Sequence, residues 1–261
     1  MVIVITGASS GIGFETAKLL ASKGHKVYGL SRRVFTCDEF CSLPCDVSDY
    51  ARVKECFKEI YDKEGKIDVL INNAGMGISG AAEYTSEEDI KKIFDINVLA
   101  LINACKEIIP YMRAQGGGKI INVSSVAASV PIPFQAFYSS TKAAVQQFSY
   151  ALRLEVKPFK IGVSVVCPGD TKTGFTSARI KDRVEADEFY GDRIVRSIEK
   201  MEHDEQNGMP ASAVSKVIYK IIKKKRSPAC KTVGFSYKLI MMLIKILPTK
   251  FMLWVVKKLY G

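Results

Sequence analysis

Tyr138 and Lys142 stand four residues apart in the stretch QAFYSSTKAAV (residues 135–145), which reads as helix. That spacing is about one helical turn, so phenol and ammonium leave the same face. Such a pair can be mere packing, with the lysine stem lying along the ring. It can also make tyrosine a proton donor near neutral pH. A free tyrosine has a pKa of ~10, and lowering it by about three units takes ~4 kcal/mol of preferential phenolate stabilisation. An ammonium one turn away can supply much of this. A short motif decides nothing alone, so the choice rests on the rest of the chain.

Two other clusters invite chemistry. Gly7, Gly11 and Gly13 form G-x3-G-x-G directly after a β-branched run and before a helical pattern. Glycines let the backbone approach a pyrophosphate, whose charge a helix N-terminus favours. The spacing differs from G-x-G-x-x-G and points to another branch of dinucleotide-binding loops. Cys37, Cys41 and Cys45 form an even ladder in CDEFCSLPC. His25 and His203 lie in unrelated contexts, and Pro44 would break a helix carrying all three thiols on one face. A structural zinc site usually brings a second, tighter pair, so no metal is expected.

These residues need a scaffold, and the chain supplies strand and helix signals in alternation. Val2–Thr6 reads as a strand, followed by a helix that ends at Gly24. Residues 26–30 read as a strand, 49–64 as a helix and 67–71 as a buried strand. Ser86 opens a long helix, with Glu87, Glu88 and Asp89 suiting its positive end, and three glycines stop it after Gln115. Strand 119–123, helix 137–157 and strand 161–166 follow. The segment between Arg33 and Asp46 is too short for a full helix, which leaves that side of the sheet thin. Near the end, Pro210 suits a first helical turn, and Val214, Val217, Ile218, Ile221 and Ile222 form an apolar stripe for the core. The alternation predicts an α/β fold, a Rossmann-type doubly wound parallel sheet with right-handed crossovers. One catalytic domain is expected over residues 1–226, including a substrate loop at 170–209, followed by an extension at 227–261. Ligands of such sheets bind at the carboxyl ends of the strands.

At those ends the chain resembles the short-chain dehydrogenase/reductase family. The resemblance rests on TGASSGIG (residues 6–13), NNAG (72–75), Ser125, YSSTK (138–142) and Pro168-Gly169, in the family's order, over roughly residues 1–173. It implies that Tyr138 is the acid/base, and that Lys142 both tunes it and binds the nicotinamide ribose. It implies further that Ser125 bonds the substrate oxygen and that Asn97 fixes a water linking Lys142 to solvent. The plainer alternatives are a serine tying down its own strand end and an asparagine in contact with solvent. Cofactor contacts are implied for Gly7, Ser9, Ser10, Gly11, Ile12 and Gly13, for Asn73, Ala74 and Gly75, and for Asp46 and Val47 beside adenine. They are implied also for Pro168, Gly169 and Thr173, and less surely for Thr171, which stands where Val or Ile is common.

Cofactor choice is written at the end of the second strand, where Ser31, Arg32 and Arg33 stand without an acid. A guanidinium, that of Arg32 above all, suits a 2′-phosphate, whereas an NAD site places a carboxylate there, so NADP(H) is expected; the plainer alternative is an exposed basic pair on a loop. The family often pairs its long helix and its tyrosine helix across a two-fold axis, and the wide stripe of Ile90, Ile93, Phe94, Val98, Leu101 and Ile102 suits a homodimer or homotetramer.

Composition bounds the remainder. The chain has 261 residues and a net charge of +11, yet residues 206–261 hold twelve Lys/Arg and no Asp or Glu. The preceding part is close to neutral. Seven cysteines without a secretion signal read as free thiols in a reducing cytoplasm, and no apolar run suffices to span a bilayer. In the tail, Leu239, Met242, Leu243, Ile246 and Leu247 recur at helical spacing, with Lys238 and Lys245 on another face; after Pro248 the pattern resumes with Phe251, Trp254 and Val255. The expected role is a roof over an apolar pocket, with Met241, Met242 and Met252 as a pliable wall and peripheral contact with an anionic membrane as an addition; the plainer alternative is a helix covering core at a subunit contact. No nucleic-acid partner is expected. The reading that results is an NADP(H)-dependent oxidoreductase interconverting a secondary alcohol and a ketone on an apolar, steroid-like or other lipid-like substrate. The alternatives are a β-ketoacyl carrier-protein reductase and a non-catalytic dinucleotide sensor.

Overall fold

Val2–Thr6 (β1) is buried along its whole length, as a strand covered by helices on both faces must be. Its alternation divides the interior. Val2 and Val4 pack with Phe57, Ile60 and Ile108 on one face, while Ile3 and Ile5 pack with Leu20, Val214 and Ile218 on the other. The computed structural model describes every residue except Val34, Thr36, Asp182, Ala186, Asp187 and Gly261.

Lys26–Ser31 (β2), Cys41–Pro44 (β3), Val69–Asn72 (β4), Gly118–Val123 (β5), Ile161–Pro168 (β6) and Cys230–Val233 (β7) complete a seven-stranded sheet of order 3-2-1-4-5-6-7, parallel throughout. Helices Gly11–Ser22 (α1) and Ala211–Lys223 (α7) pack side by side on one face. Tyr50–Glu64 (α2), Glu87–Phe94 (α3), Ala100–Ala114 (α4) and Ala136–Glu155 (α5) cover the other. The order reverses between β1 and β4, which opens the crevice where such sheets take their ligands. The α/β fold expected from the alternation is the one observed.

Several expectations are corrected in detail. The long helix does not run unbroken from Ser86 to Gln115, because residues Asp95–Leu99 form a π turn between α3 and α4. A π turn inserts a residue without disturbing the apolar stripe on either side, so periodicity conceals it. Between β2 and β3, among the described residues, no helix forms. Phe35 and Phe40 fill that side instead, each about 6 Å from Phe14 in edge-to-face contact. Pro210 is the N-cap of α7 rather than part of its first turn, and Val217 is only half-buried. The segment expected as a substrate loop contains helix Arg193–Gln206 (α6), and residues 182, 186 and 187 of it lie outside the described residues. β7 is the edge strand of the main sheet, so the helical tail proper begins after Gly234. Helices Phe235–Leu243 (α8) and Thr249–Tyr260 (α9) then fold across the carboxyl end of the sheet, with the break at Pro248 between them.

Candidate active site

The loop after β1 turns tightly at Gly7 (φ +69°) and Gly11 (φ +56°). A Cβ on Gly13 would lie 2.3 Å from the Gly7 carbonyl oxygen, so only glycine lets α1 start this close to the strand. Asn73 braces the loop from β4: its Nδ2 donates to the carbonyls of Thr6 (3.1 Å) and Gly7 (3.2 Å). Thr6 Oγ1 in turn accepts from the amides of Asn73 and Ala74, each at 3.0 Å. Thr173 closes the opposite side, its Cβ 3.3 Å from where a Gly11 Cβ would be. A concave backbone at a helix N-terminus, with no side chain in the way, fits a dinucleotide pyrophosphate.

At the end of β2, Arg33 reaches back over this loop. Its Nε donates to Ser9 Oγ (3.2 Å) and its Nη2 to Ser10 Oγ (2.9 Å). Arg32 is exposed beside it, and Ser31, buried, donates to the Arg33 carbonyl at 2.8 Å. Asp46 and Val47 line the same end, and the Asp46 carboxylate accepts from Ser48 N (3.0 Å) and Oγ (2.7 Å).

Asn97, Ser125, Tyr138 and Lys142 converge at the middle of the crevice. Ser125 stands beside Tyr138, its Oγ also accepting from Ala127 N at 3.1 Å as the plainer alternative expects, and Lys142 Nζ lies 5.7 Å from the Tyr138 ring centre while donating to the Val123 carbonyl at 3.2 Å. Phe175 packs on the tyrosine ring from the other side, 5.8 Å between centres. Gly75 makes room for the cluster: a Cβ there would come within 3.2 Å of Asn97 Oδ1 and 3.5 Å of Lys142 Nζ.

Burial sets the proton affinities. It pushes the Tyr138 phenol up to about 12, against a smaller downward pull from Ser125, and pushes Lys142 down to about 8. Burial is the largest influence on the phenol, ahead of Ser125 and of the charges of Glu205, Arg179 and Asp170. Asn97 departs from its solvent-contact alternative. It is buried in the π turn, and its amide is spent on Met76, whose N–H it accepts (2.8 Å) and whose carbonyl it bonds (2.9 Å), and on Thr141 Oγ1 (3.1 Å).

One cavity of about 1350 Å³ joins these parts. It runs from Gly7, Ser10, Ile12 and Arg33, past Ala74, Tyr138, Lys142, Pro168 and Thr171, to an apolar end. Thr171 turns its hydroxyl to the Gly169 carbonyl at 2.8 Å. At the apolar end Ile240, Ile244, Leu247, Met252 and Val255 of the tail form a wall facing Val126, Ile132 and Phe175. The expected tail stripe is thus split: Leu243 and Leu247 face the cavity, whereas Leu239, Met242 and Ile246 face solvent. Of the three methionines, Met252 alone lines it.

Tyr237 is a site residue that the sequence did not disclose. Its ring lies where a Gly169 Cβ would stand, 2.1 Å from that position, and its hydroxyl donates to Asp170. The Asp170 carboxyl is raised above the usual carboxylate range by burial. The available signal was a tyrosine in the first turn of a mostly apolar helix. Among the described residues no group of acids, thiols and imidazoles could hold a metal, in keeping with free cysteines throughout.

Comparison with known proteins fits this geometry. Residues 1–184 match the short chain dehydrogenase family. The chain is 43% identical over 235 residues to a 3-ketodihydrosphingosine reductase of Bacteroides thetaiotaomicron, covering 89% of this chain and 87% of that one. It is 30% identical over 238 residues to an NADPH-dependent 1-acyldihydroxyacetone phosphate reductase of Saccharomyces cerevisiae, covering 87% and 80%. A short-chain dehydrogenase from Streptomyces avermitilis superposes with a TM-score of 0.82 at 28% identity, over 94% of this chain and 92% of that one.

Proposed function

Because the chain belongs to the short-chain dehydrogenase family of oxidoreductases, which bind a nicotinamide dinucleotide, we propose that it is an NADP(H)-dependent reductase of a ketone on a long-chain lipid. The observation that carries this reading is the cavity itself: a tyrosine–serine pair at its centre opens onto a wall of aliphatic tail residues. The names of the two relatives support an acyl-chain ketone more than a fused-ring steroid.

In this mechanism a bound NADPH supplies the hydride that reaches the carbonyl carbon. Ser125 Oγ donates a hydrogen bond to the carbonyl oxygen and holds it against Tyr138. Tyr138 Oη gives its proton to that oxygen as negative charge develops there. A phenol that burial keeps neutral is in the form this step needs. Lys142, charged, stabilises the phenolate left behind and lies beside Gly75, where the ribose is expected. Asn97 acts through position, tying the loop after Gly75 to α5 through Met76 and Thr141. Arg33, with Arg32, receives the 2′-phosphate, and no acid stands in the Ser31–Arg33 stretch to repel it.

A homo-oligomer built on α3, α4 and α5 accompanies this reading, since Ile90, Phe94 and Ile102 remain only half-buried in the monomer. The function is tested by following NADPH absorbance with 3-ketodihydrosphingosine, 1-acyldihydroxyacetone phosphate, a steroid ketone and a β-ketoacyl thioester. Turnover of the long-chain ketones well above the others is expected. Turnover confined to the thioester would overturn the lipid reading.

A further inference from the structure

The tail is apolar on two faces, and the cavity needs only one of them. The outward face carries Phe235, Met242, Ile246 and Trp254, which are 86%, 58%, 76% and 55% exposed, and none of them lines the cavity. Phe235, Leu239, Met242 and Ile246 recur at intervals of three and four, so they form one stripe along α8 and the turn after it. Around them stand Lys238, Lys245, Lys250, Lys257 and Lys258, all exposed, with no acid anywhere in residues 206–261. Among the described residues no helix is long and apolar enough to cross a membrane.

The cavity and this face share the two tail helices. Ile240, Leu243, Phe251 and Leu259 line the cavity, and each keeps more than a third of its surface accessible. They form a greasy rim adjoining the outward stripe.

We infer that α8 and α9 dock on an anionic lipid bilayer and hold the cavity mouth against it, so that the lipid substrate enters without crossing water. Charge selects this occupant over a second copy of the chain. A two-fold contact would press the same lysines against each other, with no acid in the tail to neutralise them. Anionic headgroups answer all five, and the exposed Trp254 suits the interfacial layer. The docking stands on the surface alone, while delivery of substrate from the bilayer rests on the function proposed above.

The test is sedimentation of the full chain with vesicles of phosphatidylcholine, with and without phosphatidylglycerol. Co-sedimentation with the mixed vesicles, reversed by salt, is expected, together with a blue shift in emission from Trp254, the chain's single tryptophan. Lys238→Gln/Lys245→Gln should weaken binding roughly tenfold, at about fivefold or less per lysine. Phe235→Ser/Ile246→Ser should weaken it by about tenfold or more while leaving NADPH affinity unchanged. Equal binding to the neutral vesicles, or none to the mixed ones, would overturn the inference. So would dimers in light scattering that the Phe235→Ser/Ile246→Ser variant dissociates, because a second copy would then cover the face. Vesicle binding without turnover of any lipid ketone would leave the docking intact and remove the proposed substrate class instead.

Discussion

Lys142 Nζ sits 5.7 Å from the centre of the Tyr138 ring, yet its hydrogen bond goes to the Val123 carbonyl at 3.2 Å. The two groups share one buried compartment without neutralising each other's cost of burial. The phenol is pushed up and the ammonium down, each toward its uncharged form. On the proposed mechanism, phenolate and ammonium are stable there together rather than singly. Proton transfer from Tyr138 would thus raise the proton affinity of Lys142, and a charged Lys142 lowers the cost of that transfer.

Lys142 therefore gives a pH signature in stability. Its folded pKa, about 8, lies below the unfolded value of ~10.4. Between these the unfolded chain holds the extra proton, so stability rises with pH through that window and the rise is complete above the unfolded value. Urea midpoints from pH 7.5 to 9.5 (values set by this window of about 8 to ~10.4) should climb in the wild type relative to Lys142→Met, by the equivalent of about 1–2 kcal/mol. Parallel profiles for the two proteins would remove the depressed lysine.

Tyr138→Phe should lower turnover by about 10³-fold or more, within the range that acid–base catalysis supplies, while NADPH affinity changes little. Ser125→Ala should cost less, on the order of 10²-fold, because it removes one hydrogen bond to the oxygen and leaves the proton donor in place. A Tyr138→Phe enzyme with wild-type turnover would take the phenol out of the mechanism. Single-turnover kinetics with a titrated cofactor separates the two effects.

Cofactor preference should follow Arg33 more than Arg32. The sequence points to Arg32, but the guanidinium that crosses to Ser9 and Ser10 is that of Arg33. Arg33→Asp should cost NADPH binding a couple of kcal/mol, the scale of a charged hydrogen bond, and Arg32→Asp less. Dissociation constants for NADPH and NADH measure both. Equal affinities for the two cofactors in the wild type would contradict the NADP(H) assignment.

Much of the fold and of the candidate site could be read because their signals are local. The glycine spacing after β1 dictates a turn that only glycine makes, and the alternation of Val2 to Ile5 separates the two faces of the sheet. The Tyr138–Lys142 pair needs just one helical turn to become a cluster. What escaped depends on distant partners. Cys230–Val233 is short and half-exposed, and becomes a strand because β6 offers it an edge. The aromatic group of Phe14, Phe35 and Phe40 replaces a helix through contacts between separate segments. In the tail, apolar residues on both faces left the hydrophobic pattern without a direction, so the stripe assigned to the cavity was partly the outward one.

The tail should govern substrate size. Tyr237 lies against Gly169 and donates to Asp170, Tyr260 donates to Asp204 at 3.2 Å, and between these anchors the two helices carry the apolar wall. A Cβ at position 169 would overlap the Tyr237 ring, so Gly169→Ala should lift the first anchor without deleting the wall. Truncation after Gly234 deletes it altogether. Each aliphatic side chain removed from contact with a bound lipid forfeits ~1 kcal/mol or more of apolar burial. KM for a long-chain ketone should therefore rise by about 10²-fold or more in the truncated chain and by less in Gly169→Ala. For a small ketone, which Ser125 and Tyr138 hold without the tail, KM should stay within about threefold, a change worth less than ~1 kcal/mol. NADPH affinity should be unchanged in the truncated chain, since the glycine loop, Arg33 and Lys142 all lie outside the tail. If truncation raises KM equally for both substrates, the tail orders the whole crevice; if it raises neither, the apolar wall does not touch the substrate.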